Sequence, residues 1–289
     1  MLTNILGAVL DLDLLQTWGM RLLSGLQITA EVVVLACAMG FLLAYPLARA
    51  RMSRRRFIAW PALAYVTFFR GTPLLCQLYI VYYGAGEVRP FLTSVNLWWF
   101  FRDSFYCCLF AFTLNTAAYQ AEILRGAILS IPRGQIEAAR ALGLSPYRML
   151  RHVVGPQALL VALRPLGNEL ISIVKASALA AIVTLLDLMG QTRFIFARTF
   201  DFTIYLYAAL IYLAITEAIS RLWNQMERGL SRHLAPVPIA RASAAAALRR
   251  PSSARPSLAQ PGSARLATEV TLDSTSSPAW LAKPGSGGG

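Results

Sequence analysis

The sequence predicts an all-α, polytopic membrane protein, and three observations predict it. Of its 289 residues, 56% are hydrophobic and only 14% are charged, a balance too apolar for an ordinary soluble domain. Several apolar runs approach or exceed the ~20 residues a helix needs to cross a hydrocarbon core of ~30 Å. The arginines behind the net charge of +13 fall between those runs, where basic residues set topology. In a soluble chain such a charge would suggest nucleic acid. Here the aromatic residues sit mostly inside the apolar runs rather than among the arginines, so the expected surroundings are membrane lipid and not nucleic acid.

Taken in order, residues 1–20 form a mildly amphipathic segment with Asp11 and Asp13 on its polar side. It either lies along the outer surface or frays. No basic n-region, apolar core and small-residue cleavage site follow one another here, so the first span is expected to stay as an anchor. That span, about 26–47, carries Glu31 and ends in a basic cluster, Arg49, Arg51, Arg54, Arg55 and Arg56. The cluster belongs on the cytoplasmic side, which puts the N-terminus outside. The second span, about 57–83, is interrupted by Arg70-Gly71-Thr72-Pro73. Proline removes a backbone donor and kinks or breaks a helix. An arginine at such a depth costs roughly 2.5–3.5 kcal/mol unless it faces protein, a watery cavity or the interface.

An outside loop over 84–103 carries Trp98 and Trp99, suited to a membrane interface. The third span, about 104–123, contains Asn115, Thr116, Gln120 and Glu122; polar groups in a span commonly hold helices together. The loop over 125–164 is basic again, with Arg133, Arg140, Arg148 and Arg151, and so is cytoplasmic, as three spans from an outside N-terminus require. The fourth span, about 166–186, holds Asn168, Glu169 and Lys175. Glu169 and Lys175 are too far out of phase to pair along one helix. A second outside loop covers 187–201, and the fifth span, about 202–219, ends at Arg221 and Arg228. The spans together define a transmembrane domain over 21–234. From 235 to 289 the composition turns to Ala, Pro, Ser, Arg and Gly, which cannot bury enough apolar surface to fold, so a disordered cytoplasmic tail is expected.

The charged stretch Ile136–Pro156, IEAARALGLSPYRMLRHVVGP, stands apart. Glu137-Ala138-Ala139 begins a short helix of strong formers, and Gly143 supplies a left-handed stop. Ser145-Pro146 reads as an N-cap followed by proline at the first helical position. A second short helix, 147–154, is expected to end where Gly155-Pro156 breaks it. The product is a helix-turn-helix element with exposed polar faces between two spans.

Glu137-Ala138-Ala139, Gly143, Val153 and Pro156 stand in the register of the signature of bacterial ABC-importer permeases, which this chain resembles from about 15 to 234. Gly155 stands where that family usually has leucine. Phe-Phe-Arg-Gly-Thr-Pro-Leu-Leu at 68–75, Phe-Thr-Leu-Asn-Thr-Ala-Ala-Tyr at 112–119 and Gly-Asn-Glu-Leu-Ile-Ser at 167–172 are similar to the polar amino acid members, in the histidine, arginine and opine branch. The resemblance implies a type I importer fold of five spans with a cytoplasmic coupling helix that docks on a separate ATPase through Glu137, Ala138, Ala139, Gly143, Leu144 and Pro156. It implies a substrate pathway drawn from Arg70, Gly71, Thr72, Gln77, Asn115, Asn168 and Glu169. Glu169 either neutralises a substrate's cationic group or makes a bond between helices. The implied partners are a second permease chain, two ATP-binding subunits and an external amino-acid-binding protein, in a bacterial inner membrane.

The chain contains no Gly-x-x-x-x-Gly-Lys-Ser/Thr loop, so ATP and its Mg²⁺ are expected on the partner and no cofactor on this chain. No His-Glu-x-x-His or Gly-x-Ser-x-Gly motif offers a catalytic group. Cys37, Cys76, Cys107 and Cys108 lie in apolar runs without metal-ligand spacing and read as small core hydrophobes. His152 and His233 are far apart, so no metal site is expected. The competing reading is a stand-alone secondary transporter or channel, which interrupted helices and midplane charges also suit.

Overall fold

The computed structural model describes residues 12–231. The expected surface segment before Leu12 and the expected disordered tail over 235–289 lie outside the described residues. Among the described residues every regular element is helical.

Helix α1 (Leu12–Arg51) is one unbroken rod of 40 residues, about 60 Å at 1.5 Å per residue. The described part of the expected surface segment therefore continues into the first span without a turn. Its seam against α6 (Ser104–Leu129) is made of small residues. Ala36, Gly40, Ala44 and Ala48 recur every four positions and meet Ala117, Ala118 and Ala121, the alanines all at most 1% exposed. A Cβ built on Gly40 would lie 2.5 Å from Thr116 Cγ2 and 3.3 Å from the Ala117 backbone nitrogen. Glycine is needed there so that two backbones can approach, the usual means of helix association in lipid. At the end of this seam Glu122 binds Arg51 at 3.0 Å and Arg125 at 2.8 Å.

The expected second span is two helices, α2 (Arg56–Gly71) and α3 (Leu74–Glu87), parted at Thr72-Pro73, both in extended conformation. The expected outside loop over 84–103 is largely helical, with the end of α3 followed by α4 (Arg89–Ser94) and α5 (Trp98–Phe101). Asp103 opens α6 by accepting a 2.8 Å bond from the Phe105 backbone N–H.

Beyond α6 come α7 (Arg133–Ala141) and α8 (Pro146–Met149), then a π-turn over Leu150–Val154 that runs directly into α9 (Gly155–Ala176). The expected break at Gly155-Pro156 does not occur. The Gly155 N–H bonds to Leu150 O, five residues back, and this register shift places Pro156, which has no N–H to give, at the head of the next helix. The helix expected as the fourth span therefore starts well before residue 166 and ends in a 3₁₀ segment, Ser177–Val183. Thr184, left-handed at φ 65°, terminates it. The second expected outside loop contains α10 (Leu188–Thr199), capped by Asp187, and α11 (Thr203–Ser231) follows. Helical stretches over Gln16–Arg51, Pro146–Val183 and Thr203–Leu230 are long and apolar enough to cross a membrane on their own.

The largest core cluster packs Val32, Val33 and Ala36 of α1 against Cys108, Ala111 and Phe112 of α6, with Leu78, Ile173, Val174 and Val183 closing it. Cys107 and Cys108 are buried and Cys37 half-buried, as small core hydrophobes should be, but Cys76 is exposed.

Candidate functional site

The α2–α3 break lies at the edge of a cavity. Unwinding a helix at membrane depth frees carbonyls that have no water to bind, so they must be satisfied by protein. Gln77, from the first turn of α3, does this. Its Nε2 donates to Phe69 O at 2.9 Å, Thr72 O at 3.1 Å and Thr72 Oγ1 at 2.8 Å. Asn115 of α6 donates from Nδ2 to Phe69 O at 3.1 Å and to Gln77 Oε1 at 3.0 Å. Both side chains are buried. The break is thus pinned by two amides.

The cavity beside it measures about 500 Å³ and is lined by Arg70, Gly71, Thr72, Pro73, Leu74, Asn115, Tyr119, Glu169, Ser172, Ile173 and Ala176. Of the residues expected in the pathway, Arg70, Gly71, Thr72, Asn115 and Glu169 are brought together here. Gln77 stands behind the wall as its support. Asn168 is exposed and faces elsewhere, into a small cleft with Arg164, Gly167, Trp223 and Glu227. Arg70 lies over the Tyr119 ring at 5.3 Å and is absent from the ion pairs of the described residues. Glu169 accepts a 3.2 Å bond from Thr116 Oγ1. One fixed cation and one carboxylate therefore border the same space, next to the N-terminus of α3, whose first N–H groups have no partner within the helix.

Tyr119 and Ser172 were missed by sequence reasoning. Each sits one helical turn from a residue that was singled out, Asn115 and Glu169, and spacing by four or three on one face was the available signal.

The charged element keeps its expected chain reversal. Gly143 N–H bonds to Arg140 O at 2.9 Å and Leu144 N–H to Ala139 O at 3.1 Å, with Gly143 at φ 71°. This is the paired closure of a helix ended by a left-handed residue. Ser145 Oγ caps α8 through the Arg148 N–H at 3.4 Å. Helix α7 begins at Arg133 rather than at Glu137, with Pro132 at its N-cap position. Ala139 is buried, and Ile136 packs with Met149 and Leu150 against a cluster that includes Val154 and Ala158. Glu137, Ala138 and Gly143 are exposed, Leu144 is half-buried and Pro156 is exposed. Leu142 at 80% and Tyr147 at 68% exposure add apolar tips to this face, which sequence reasoning did not single out.

Residues 37–232 match the family model described as binding-protein-dependent transport system inner membrane component. The chain belongs to that family. It is 37% identical over 226 residues to the nopaline transport system permease protein NocM of Agrobacterium fabrum, covering 78% of this chain and 94% of the relative. It is 40% identical over 210 residues to the octopine permease OccM of Rhizobium meliloti, covering 72% and 85%. To the histidine/lysine/arginine/ornithine permease HisM of Salmonella typhimurium it is 40% identical over 223 residues, covering 77% and 94%.

A solved amino acid ABC transporter with histidines superposes with a TM-score of 0.68 at 33% identity, covering 76% of this chain and 98% of that one. The methionine ABC transporter MetNI in an inward-facing form matches in fold, with a TM-score of 0.62 at 21% identity and coverage of 74% and 98%. The chain is accordingly a permease subunit of an ABC transport system, all-α and embedded in the inner membrane, with ATP hydrolysis on a separate subunit. The match supports this reading and not the stand-alone carrier.

Proposed function

We propose that this permease forms half of an import pathway for polar amino acids carrying a cationic or opine-like side chain, and that the cavity between Arg70 and Glu169 is where the solute passes. The carrying observation is the pairing of these two groups on one cavity at a helix break. A free amino acid presents a carboxylate and an ammonium. Arg70 and the free N–H groups at the start of α3 suit the carboxylate, and Glu169 suits the ammonium or a basic side chain. A volume of about 500 Å³ lies within the ordinary range for small-molecule sites.

The five spans of this reading are α1, the α2–α3 pair, α6, α9 and α11. The basic loops face the cytoplasm and the N-terminus lies outside. A second permease chain, identical or homologous, completes the pathway. Two ATP-binding subunits hold ATP and Mg²⁺ and grip α7 and α8 through the face formed by Glu137, Ala138, Gly143, Leu142 and Tyr147. An external binding protein delivers the solute. Because the π-turn joins α8 to α9 without a loop, a push on the coupling element reaches the helix that carries Glu169.

The test is uptake of labelled arginine, histidine and an opine by proteoliposomes holding the complete transporter. Glu169→Gln should lower uptake of cationic substrates about 10- to 100-fold, the effect of removing one charged hydrogen-bond partner worth roughly 1.5–3 kcal/mol. ATP turnover at the unaltered coupling face should survive. Gly143→Asp should do the reverse, ending stimulated ATP turnover in a chain that still inserts. Wild-type uptake by the Glu169 variant would overturn the pathway assignment.

A further inference from the structure

Two grooves lie one after the other along a face of α1 beside its small-residue seam. The upper one, about 540 Å³, is lined by Cys37, Ala38, Phe41 and Leu42, with Gln120 of α6 as its floor and Leu159, Leu163, Leu166 and Leu170 of α9 as the opposite wall. The lower one, about 280 Å³, is lined by Tyr45, Arg49, Met52 and Ser53, with Ile128 of α6 as floor and Leu150 of the π-turn opposite. In both, α1 forms one wall and α6 the floor; the opposite wall is α9 with Trp223 of α11 in the upper groove and the π-turn leading into α9 in the lower. On α1 the residues Ala38, Leu42, Tyr45, Arg49 and Met52 are spaced four, three, four, three, a single stripe on one side of a helix.

Chemically the stripe changes from wholly apolar to cationic. Arg49 is exposed, and neither it nor Arg54, Arg55 and Arg56 has an ionic partner among the described residues. Arg51, by contrast, is taken by Glu122 at 3.0 Å. From Ala38 to Arg49 is about 16 Å along the helix, close to half of a ~30 Å hydrocarbon core and so the depth of one leaflet. Leu42 is 74% exposed within this stripe, an apolar side chain awaiting an apolar neighbour.

The geometry points to one occupant: an anionic phospholipid of the cytoplasmic leaflet, its phosphate at Arg49 and one acyl chain along Leu42 and Ala38 toward Leu170. The assignment rests on the orientation in the proposed function, which places Arg49 at the cytoplasmic surface. Since Leu150 belongs to the turn between α8 and α9, a lipid held there touches the link between the coupling element and the pathway helix.

The experiment is native mass spectrometry of the purified complete transporter, released from nanodiscs of phosphatidylglycerol and phosphatidylcholine. Wild type should retain phosphatidylglycerol in preference. Arg49→Gln should cut that preference about fivefold, the effect of roughly 1 kcal/mol per basic residue at an anionic surface, while phosphatidylcholine retention stays. Ala38→Trp, which fills the groove, should reduce retention of both. Unchanged lipid retention in both variants overturns the proposal, as does competition by soluble glycerol phosphate equal to that of the lipid. Crosslinking of Leu42→Cys to the second permease chain also overturns it, because that face would then be a protein interface. Labelling of Ser53→Cys from the outside alone would sink the orientation, and the functional reading with it. Labelling from the inside together with no lipid preference sinks the lipid site alone.

Discussion

Replacing Gly167 by alanine tests how closely α9 and α11 must pack. A Cβ on Gly167 would collide with Cδ1 and Nε1 of Trp223 and lie 2.9 Å from its Cε2. The indole cannot yield freely, because its Nε1–H donates to Leu163 O at 2.8 Å and Arg164 binds Glu227 at 2.8 Å one turn away. Overpacking of this kind costs about 1–3 kcal/mol, and losing the indole hydrogen bond adds about 1 kcal/mol. Against this, alanine gains ~0.5–1 kcal/mol over glycine as a helix former. The net expectation is a loss of about 1–3 kcal/mol, read as a fall in the midpoint of thermal unfolding of the purified transporter in detergent. At roughly 2–4 °C per kcal/mol for a domain of this size, the shift is measurable. The colliding atoms Cδ1 and Nε1 belong to the indole ring, which alanine lacks altogether. Trp223→Ala should therefore destabilise alone yet relieve Gly167→Ala, giving a coupling of about 1–2 kcal/mol in the double-mutant cycle. An unshifted midpoint for Gly167→Ala, or strict additivity in the cycle, would refute the close-packing account.

Three further outcomes follow from the same structure. Gly155→Ala would place a Cβ 2.5 Å from Leu150 O, so the π-turn must open; ATP turnover should become insensitive to the binding protein while the chain still inserts, and normal stimulation would count against the turn as a rigid link. Gln77→Leu leaves Thr72 O without its amide and Phe69 O with only Asn115, a loss of about 1–3 kcal/mol that thermal unfolding in detergent would register; no change would mean the break is held some other way. The Asp187 carboxyl, at the start of α10, is pushed up to about 6 by burial, against the lowering effect of the Gly190 N–H. Because its folded value lies above the ordinary value of 3.8, the folded state binds the proton more tightly, and stability falls as pH rises through the window from 3.8 to about 6. Asp187→Asn keeps the capping oxygen and should flatten that pH dependence, with a gain above pH 6 of at most ~3 kcal/mol; a variant as pH-sensitive as wild type would contradict it.

The sequence announced the chain reversal at Gly143 because only a left-handed residue closes a helix that way, and Gly143 stands at φ 71°. It announced the interruption at Thr72-Pro73 for the same kind of local reason. It misjudged Gly155-Pro156, where local rules say break. What decides there is a five-residue hydrogen bond from Gly155 to Leu150, a register shift that proline tolerates and that no residue type advertises. The loops expected over 84–103 and 187–201 hold short helices, since segments too short or too polar to span can still pack as helices against their neighbours. The fit of Gly167 to Trp223 was invisible for a different reason. It joins residues 56 apart in the chain, and a lone glycine in a span does not say which side chain will cover it.

The polar residues within the helices divide by what they bind, and this division supports the proposed pathway better than polarity alone. Gln77 and Asn115 spend their amides on the carbonyls freed at the α2–α3 break and on each other. Thr29 gives its oxygen to the Leu188 N–H, and Glu122 is held between two arginines. Arg70 stacks on the Tyr119 ring and Glu169 accepts one long bond from a threonine; the two charges attract each other across the cavity without a direct ion pair. A charge kept at membrane depth with so little internal compensation is costly unless water or a solute supplies the rest. The two of these charges without a direct ion pair border the same cavity, which is why the proposed pathway suits a solute that carries both signs.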